Sequence, residues 1–304
     1  MSIRVTTQMT TNMMKTSINK SYADIYKVYQ QITSGKKLSE MSENPSDGTK
    51  IVKYNTQLDK LGDWANNIET AKDELSMSWD TLGLINDNLS RINDLAIQAA
   101  NSYNSDESVE AIRKEIAART ETITSLANTK YQDKYIFAGS NTGTVPYKTD
   151  ENLKTQYFGT PSSGSWQRNV EISEGTTIPV NVNGEDIFGN GNTGIFAALE
   201  KLNTAMSADD IDFRAISESL NPIQDGIKSV TSAQGVISSR VQRLEATSSI
   251  NSDLTLGTTE RKSAIEDTDL TQAATDLVRF QTALQASMKA GSSIMYNSSL
   301  LDFI

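Results

Sequence analysis

Asp209, Asp210 and Asp212 are the closest this sequence comes to a metal-binding loop. Carboxylates packed so tightly could offer oxygen ligands to a hard cation. A calcium loop also needs a glycine at its sharp turn and a distant bidentate Glu at fixed spacing, and neither is present. Ser207–Asp212 is therefore expected to be a turn that caps the helix after it. Glu43 and Asp47 could act as a carboxylate pair, yet they flank Pro45 and Ser46 in a polar loop. A turn with Ser46 or Asp47 as a helix cap fits them better. Gly189–Gly194 (GNGNTG) has the glycines of a phosphate cradle without the Lys-Ser/Thr that would follow them. It too is expected to be a turn.

The chain has no His and no Cys. That removes imidazole and thiol catalysis, His-ligated metal and zinc–thiolate sites. No catalytic set, cofactor site or metal site is expected. The net charge is −10 and there is no basic run, which argues against nucleic acid as a partner. There is no apolar run of about 18 residues to cross a membrane. The N-terminal stretch MSIRVTTQMTTNMMK lacks the basic start and apolar core of a secretory signal.

What remains is the chemistry of association. Leu270, Ala274, Leu277, Gln281, Leu284, Met288, Gly291 and Met295 alternate by four and three residues, the heptad pattern that keeps one helix face against a partner. Leu300, Leu301, Phe303 and Ile304 form an apolar tip beyond it, expected to be buried by a neighbour. Ile18, Tyr22, Ile25, Tyr29 and Ile32 repeat the pattern near the other end. These two seams, Gly291 and the lone Gln281 apart, together with Leu300, Leu301 and Phe303 of the tip, supply the candidate interface residues.

The elements that must carry the seams follow from periodicity. Helix is expected over 1–33, then a loop over Thr33–Lys50. A second seam runs Ile51, Tyr54, Leu58, Leu61, Ala65, Ile68, Lys72, Leu75, Trp79, Leu82, and less strictly to Ala99. NSYNSDES breaks it, with Ser105 or Asp106 as the next cap. A further helix carries Val109, Ile112, Ile116, Ile123 and Leu126. At Tyr131 the period shortens into β-type runs between Gly, Pro, Asn and Ser. Ser173–Thr176 reads as a hairpin turn. Helix returns at Ile195, and the cleanest seam runs Ile216, Leu220, Ile223, Ile227, Val230, Gln234, Ile237, Val241, Leu244. Pro222 is expected to kink or start that helix, and Gly257 to break it. The expected fold is mainly α, a long antiparallel coiled-coil rod of N- and C-terminal segments with a small β-rich insert. The insert, too small for much core of its own, must lean on the helices or on a neighbouring subunit.

Five stretches in order then resemble one family. They are VTTQMTTNMM (Val5–Met14), ITSGKKLSEMSENPSDG (Ile32–Gly48), LSRINDLAIQAAN (Leu89–Asn101), KYIFAG (Lys134–Gly139) and IEDTDLTQAATDL…QTALQASMKAGSSI (Ile265–Ile294). Together they resemble the bacterial flagellin superfamily and, within it, the hook–filament junction proteins. The resemblance implies a structural, extracellular part of the flagellum, exported without a cleavable signal and handled by an export chaperone on the C-terminal helix. It implies a homo-oligomeric ring between hook-associated protein 1 and flagellin. Residues 1–45 and 258–304 would form the inner axial coiled coil, 46–137 and 194–257 a long helical-bundle domain, and 138–193 an outer insert. The terminal helices would fold as they associate. Flagellin itself, the filament subunit, is the alternative.

Overall fold

A computed structural model describes residues 7–38, 40, 42–101, 105–150, 154–207 and 211–301. Val5, Asp209, Asp210, Phe303 and Ile304, singled out above, lie outside them. The order of elements is α1 (Thr7–Ser34), α2 (Pro45–Ala99), α3 (Asp106–Ala127), β1 (Lys130–Tyr131), β2 (Lys134–Tyr135), β3 (Tyr147–Thr149), β4 (Thr155–Tyr157), β5 (Asn169–Ser173), β6 (Thr176–Pro179), α4 (Gly184–Phe188), α5 (Gly194–Ala205), α6 (Phe213–Glu266) and α7 (Leu270–Leu301). The described chain is thus mainly α, with three antiparallel hairpins as its β part. It divides into two compact units, one of residues 61–252 and one of 1–60 with 253–304.

In the unit 61–252, α2 and α6 run antiparallel. Leu61 O accepts from Asn251 Nδ2 (2.9 Å), Trp79 O from Gln234 Nε2 (3.3 Å), and Lys72 pairs with Glu245 (2.6 Å). On α6 the buried apolar residues recur every heptad at Ile216, Ile223, Val230, Ile237 and Leu244. On α2 the buried line is Ile68, Ala71, Leu75, Ser78, Leu82, Ile85, Leu89 and Ile92. Here the structure departs from the expected seam. Trp79 turns outward, Lys72 stays at the edge of the seam against Glu245, and the small Ala71 and Ser78 take the inward places. A small side chain there lets a neighbouring backbone approach.

Helix ends follow their capping chemistry. Ser105 caps α3, its hydroxyl accepting from Ser108 N (3.3 Å). Asp212 caps α6, accepting from the nitrogens of Arg214 and Ala215 (3.0 Å each). At α2 the cap is Asn44 rather than Ser46 or Asp47. Its Oδ1 accepts from Asp47 N (3.4 Å), and Pro45 takes the first helical position, where its missing N–H costs nothing. The break expected at Gly257 does not occur, and the helix does not start at Pro222. α6 passes through both Pro222 and Gly257. Pro222 and Glu218, whose carbonyl loses its donor, are both exposed, so water can replace that bond. One glycine costs a helix only about 1 kcal/mol. The break falls instead at Asp267–Asp269, where Asp269 caps α7 through Thr271 N and Gln272 N (2.9 and 3.1 Å).

The β part leans on the helices of its own unit. Phe137, Tyr147, Ile172, Ile178, Val180 and Phe188 share one buried cluster with α2, α3, α5 and α6. β5 and β6 pair antiparallel across the Ser173–Thr176 turn, as their residues suggest. Polar ties reinforce the packing. Asn67 Nδ2 donates to Glu171 O (2.9 Å), Arg240 to Asn181 O (2.9 Å), and Glu74 on α2 forms an ion pair with Arg168. Burial pushes the Glu74 carboxyl above the usual glutamate range, against the opposing pull of Arg168. The folded state therefore holds this proton more tightly than the unfolded chain. Its contribution to stability is largest below the ordinary glutamate pKa and declines as pH rises through the raised folded value. Glu74→Gln is expected to flatten that decline, read as denaturant midpoints measured from mildly acidic to neutral pH.

Candidate assembly interface

The unit formed by residues 1–60 and 253–304 is built around α1 and α7. They run antiparallel, with Met14 near the start of α1 lying against Gly291 near the end of α7. A Cβ at Gly291 would stand 2.0 Å from Met14 Sδ, so glycine is what admits that side chain. The other end is tied by backbone bonds from Lys37 N to Glu266 O (2.7 Å) and from Thr268 N to Gly35 O (2.9 Å). Lys36 Nζ adds an ion pair to the buried Glu266 (2.6 Å).

The candidate residues divide between two faces. Facing inward on α1 are Met14, Ile18, Ser21, Ile25, Val28 and Ile32, and on α7 Ala273, Leu277, Phe280, Leu284, Ser287 and Gly291. Leu284 is the most buried of the predicted set, at 8% exposure. Ile18, Ile25, Ile32 and Leu277 are half-buried. Tyr22 and Tyr29 lie on the outer side, 54% and 61% exposed, with Tyr26 between them. Leu270, Ala274 and Met288 are likewise exposed on α7, beside Val278. Met295, Leu300 and Leu301 belong to α7, but their side chains, like all of Phe303, lie outside the described residues. Sequence reasoning missed Ser21, Val28, Ala273 and Ser287. For Ser21, Val28 and Ser287 the signal was present as a less bulky residue in heptad register one position before Tyr22, Tyr29 and Met288; the Ala273–Ala274 pair carries none.

The result is a helix pair with an apolar seam inside and a second apolar stripe outside. Tyr22, Tyr26, Tyr29, Leu270, Val278 and Met288 are all exposed. Exposed apolar side chains in such number on a narrow two-helix unit make it a candidate interaction surface. The possible catalytic groups do not converge. Glu43 pairs with Lys27 (3.1 Å), and Asp47 is held by Asn44 (2.7 Å) and Lys50 (2.9 Å). Among the described residues no group of three acids could hold a metal ion.

Comparison with known proteins bears on what such a surface is for. Residues 5–142 match the model of the bacterial flagellin N-terminal helical region. Over 310 residues the chain is 23% identical to flagellar hook-associated protein 3 of Escherichia coli (strain K12), covering 95% of this chain and 96% of that protein. The chain is a homologue of flagellar hook-associated protein 3. By contrast, phase 1 flagellin of Salmonella naestved aligns over only 37% of this chain and 22% of its own length, at 27% identity. A crystal structure titled as the flagellar junction protein FlgL from Legionella pneumophila superposes with a TM-score of 0.57. It is 16% identical and covers 71% of this chain and 100% of that one. That likeness shows the shared fold.

Proposed function

We propose that this chain is a junction subunit of the bacterial flagellum, a structural protein joining hook-associated protein 1 to the flagellin filament. The observation that carries the reading is the end-to-end match to hook-associated protein 3, against a partial match to flagellin. The exposed stripe on α1 and α7 fits the role. Copies of the chain form a ring in which that stripe is covered by neighbouring helices. Tyr22, Tyr29, Leu270, Ala274 and Met288 then make contacts between subunits, while Ile18, Ile25, Ile32, Leu277 and Leu284 hold each subunit's own pair together. Met295, Leu300, Leu301 and Phe303 complete the interface. The weak helix formers Gly291, Ser292 and Ser293 lie near the end of α7, which is the part of that helix that gains most from such neighbours. Before assembly an export chaperone covers the C-terminal helix, and the chain leaves the cell unfolded.

Deletion of the gene tests the reading. Cells should build hooks, lack filaments and release flagellin into the medium. Filaments of normal length in the deletion strain would overturn it. Long filaments grown from the purified protein alone would instead favour the flagellin alternative.

A further inference from the structure

The chain contains two Asn–Gly dipeptides, Asn183–Gly184 and Asn190–Gly191. In this pairing the backbone nitrogen after the asparagine is unshielded, because glycine carries no Cβ. The fold treats the two very differently. Asn183 is buried. Its Nδ2 donates to Thr160 O (3.1 Å), and its Oδ1 accepts from the Tyr157 hydroxyl (2.9 Å) and from Glu185 N (3.0 Å). Gly184 N donates to Phe137 O (3.0 Å). Both the nitrogen that would attack and the amide that would leave are tied down.

Asn190 is exposed. Its Oδ1 accepts from Asn192 N (3.0 Å), Thr193 N (3.2 Å) and Thr193 Oγ1 (3.2 Å). Among the described residues no protein group holds its Nδ2 or the nitrogen of Gly191. An oxygen that reaches forward to the second and third residues beyond it carries its own Cγ toward the nitrogen in between. Three donors on that oxygen also polarise the side-chain amide and stabilise the negative charge it gains under attack.

We propose that Asn190 is a site of spontaneous deamidation in the folded protein. The Gly191 nitrogen forms a bond to Asn190 Cγ and gives its proton to hydroxide. The bond from Cγ to Nδ2 breaks, and the nitrogen leaves as ammonia after taking a proton from water. Water then opens the five-membered imide at either carbonyl, yielding aspartate or isoaspartate, with nothing oxidised or reduced. The isoaspartyl product lengthens the backbone in a loop with no slack. Gly189 and Gly191 sit at φ +87 and +97, and a Cβ on them would stand 1.9 Å from Thr193 O and 2.2 Å from Thr155 O. The bond from Tyr157 N to Asn190 O (3.4 Å), which ties the loop to β4, should be lost with it.

The test uses the full-length protein in mildly alkaline buffer. Conversion of amide to acid is followed by peptide mass spectrometry, and isoaspartate by labelling with an isoaspartyl methyltransferase. In the native protein Asn190 should convert more than about tenfold faster than Asn183, which reacts only through local opening. In denaturant the two should convert at similar rates. Asn190→Ser, which keeps an oxygen at the cap, should remove the label. Native rates that match at the two sites would overturn the proposal. So would a native Asn190 that stays intact while the denatured chain converts.

Discussion

Leu284→Asp is expected to abolish junction assembly and to unpair α1 from α7 in the isolated protein. Leu284 is buried in the inward seam of α7. Truncating such a residue costs about 2–5 kcal/mol, and an unpaired carboxylate in its place costs more. A pair of helices joined along one narrow seam has little stability to set against that loss. Circular dichroism should lose up to the helix held in α1 and α7, 28 and 32 residues. The thermal transition of the unit 61–252 should stay in place. Cells carrying the variant should be non-motile. Normal filaments together with an unchanged helix signal would show that the α1–α7 seam is dispensable. Met288→Asp, on the exposed stripe of the same helix, separates the two faces. It should leave the monomer's helix content intact and still impair assembly.

Phe188→Ala should have the largest effect on the unit 61–252. Phe188 is fully buried, with its ring 5.2 Å from Phe137 at an interplanar angle of 80° and 5.8 Å from Tyr147. Both rings meet it edge-on, the arrangement that aromatic quadrupoles favour. Phe196 of α5 packs on the same group at 6.3 Å. Emptying this position should cost about 3–5 kcal/mol. For a unit of this size that lowers the melting temperature by about 10 °C. Phe158→Ala, at a ring 45% exposed, should change it little. Equal shifts for the two variants would mean that the aromatic group does not hold the β part to the helices. The same cluster bears on removal of residues 141–192. A peripheral insert could be deleted without harm to the helices. Here Tyr147, Ile172, Ile178 and Phe188 belong to the helices' own core, so deletion would expose it.

Much of the fold was legible because local rules and global packing agree. The heptad of α6 from Ile216 to Leu244 survives intact, since each seventh residue is a large aliphatic with no competitor beside it. Ser105 and the turn of β5–β6 were readable because caps and hairpin turns depend on a few adjacent residues. Gly257 misled for the opposite reason. Its local penalty is real, but it is a single residue in a helix of 54 held by packing along its length.

The candidate interface divides along the same line. The residues alone determine that both ends of the chain carry amphipathic helical patterns and that no imidazole or thiol chemistry is possible. They do not determine which of two adjacent heptad positions faces the partner. Ser21 and Tyr22, Val28 and Tyr29, Ala273 and Ala274, Ser287 and Met288 are neighbours about 100° apart on a helix, and both members of a pair can border a seam. Bulk favours Tyr22, Tyr29 and Met288. The fold instead turns Ser21, Val28, Ala273 and Ser287 inward. Close approach of two backbones, as where Gly291 admits Met14, needs small side chains between them. That choice depends on the partner helix, which no reading of one helix at a time contains. By making it, the tertiary structure leaves the tyrosines and Met288 on the exposed side.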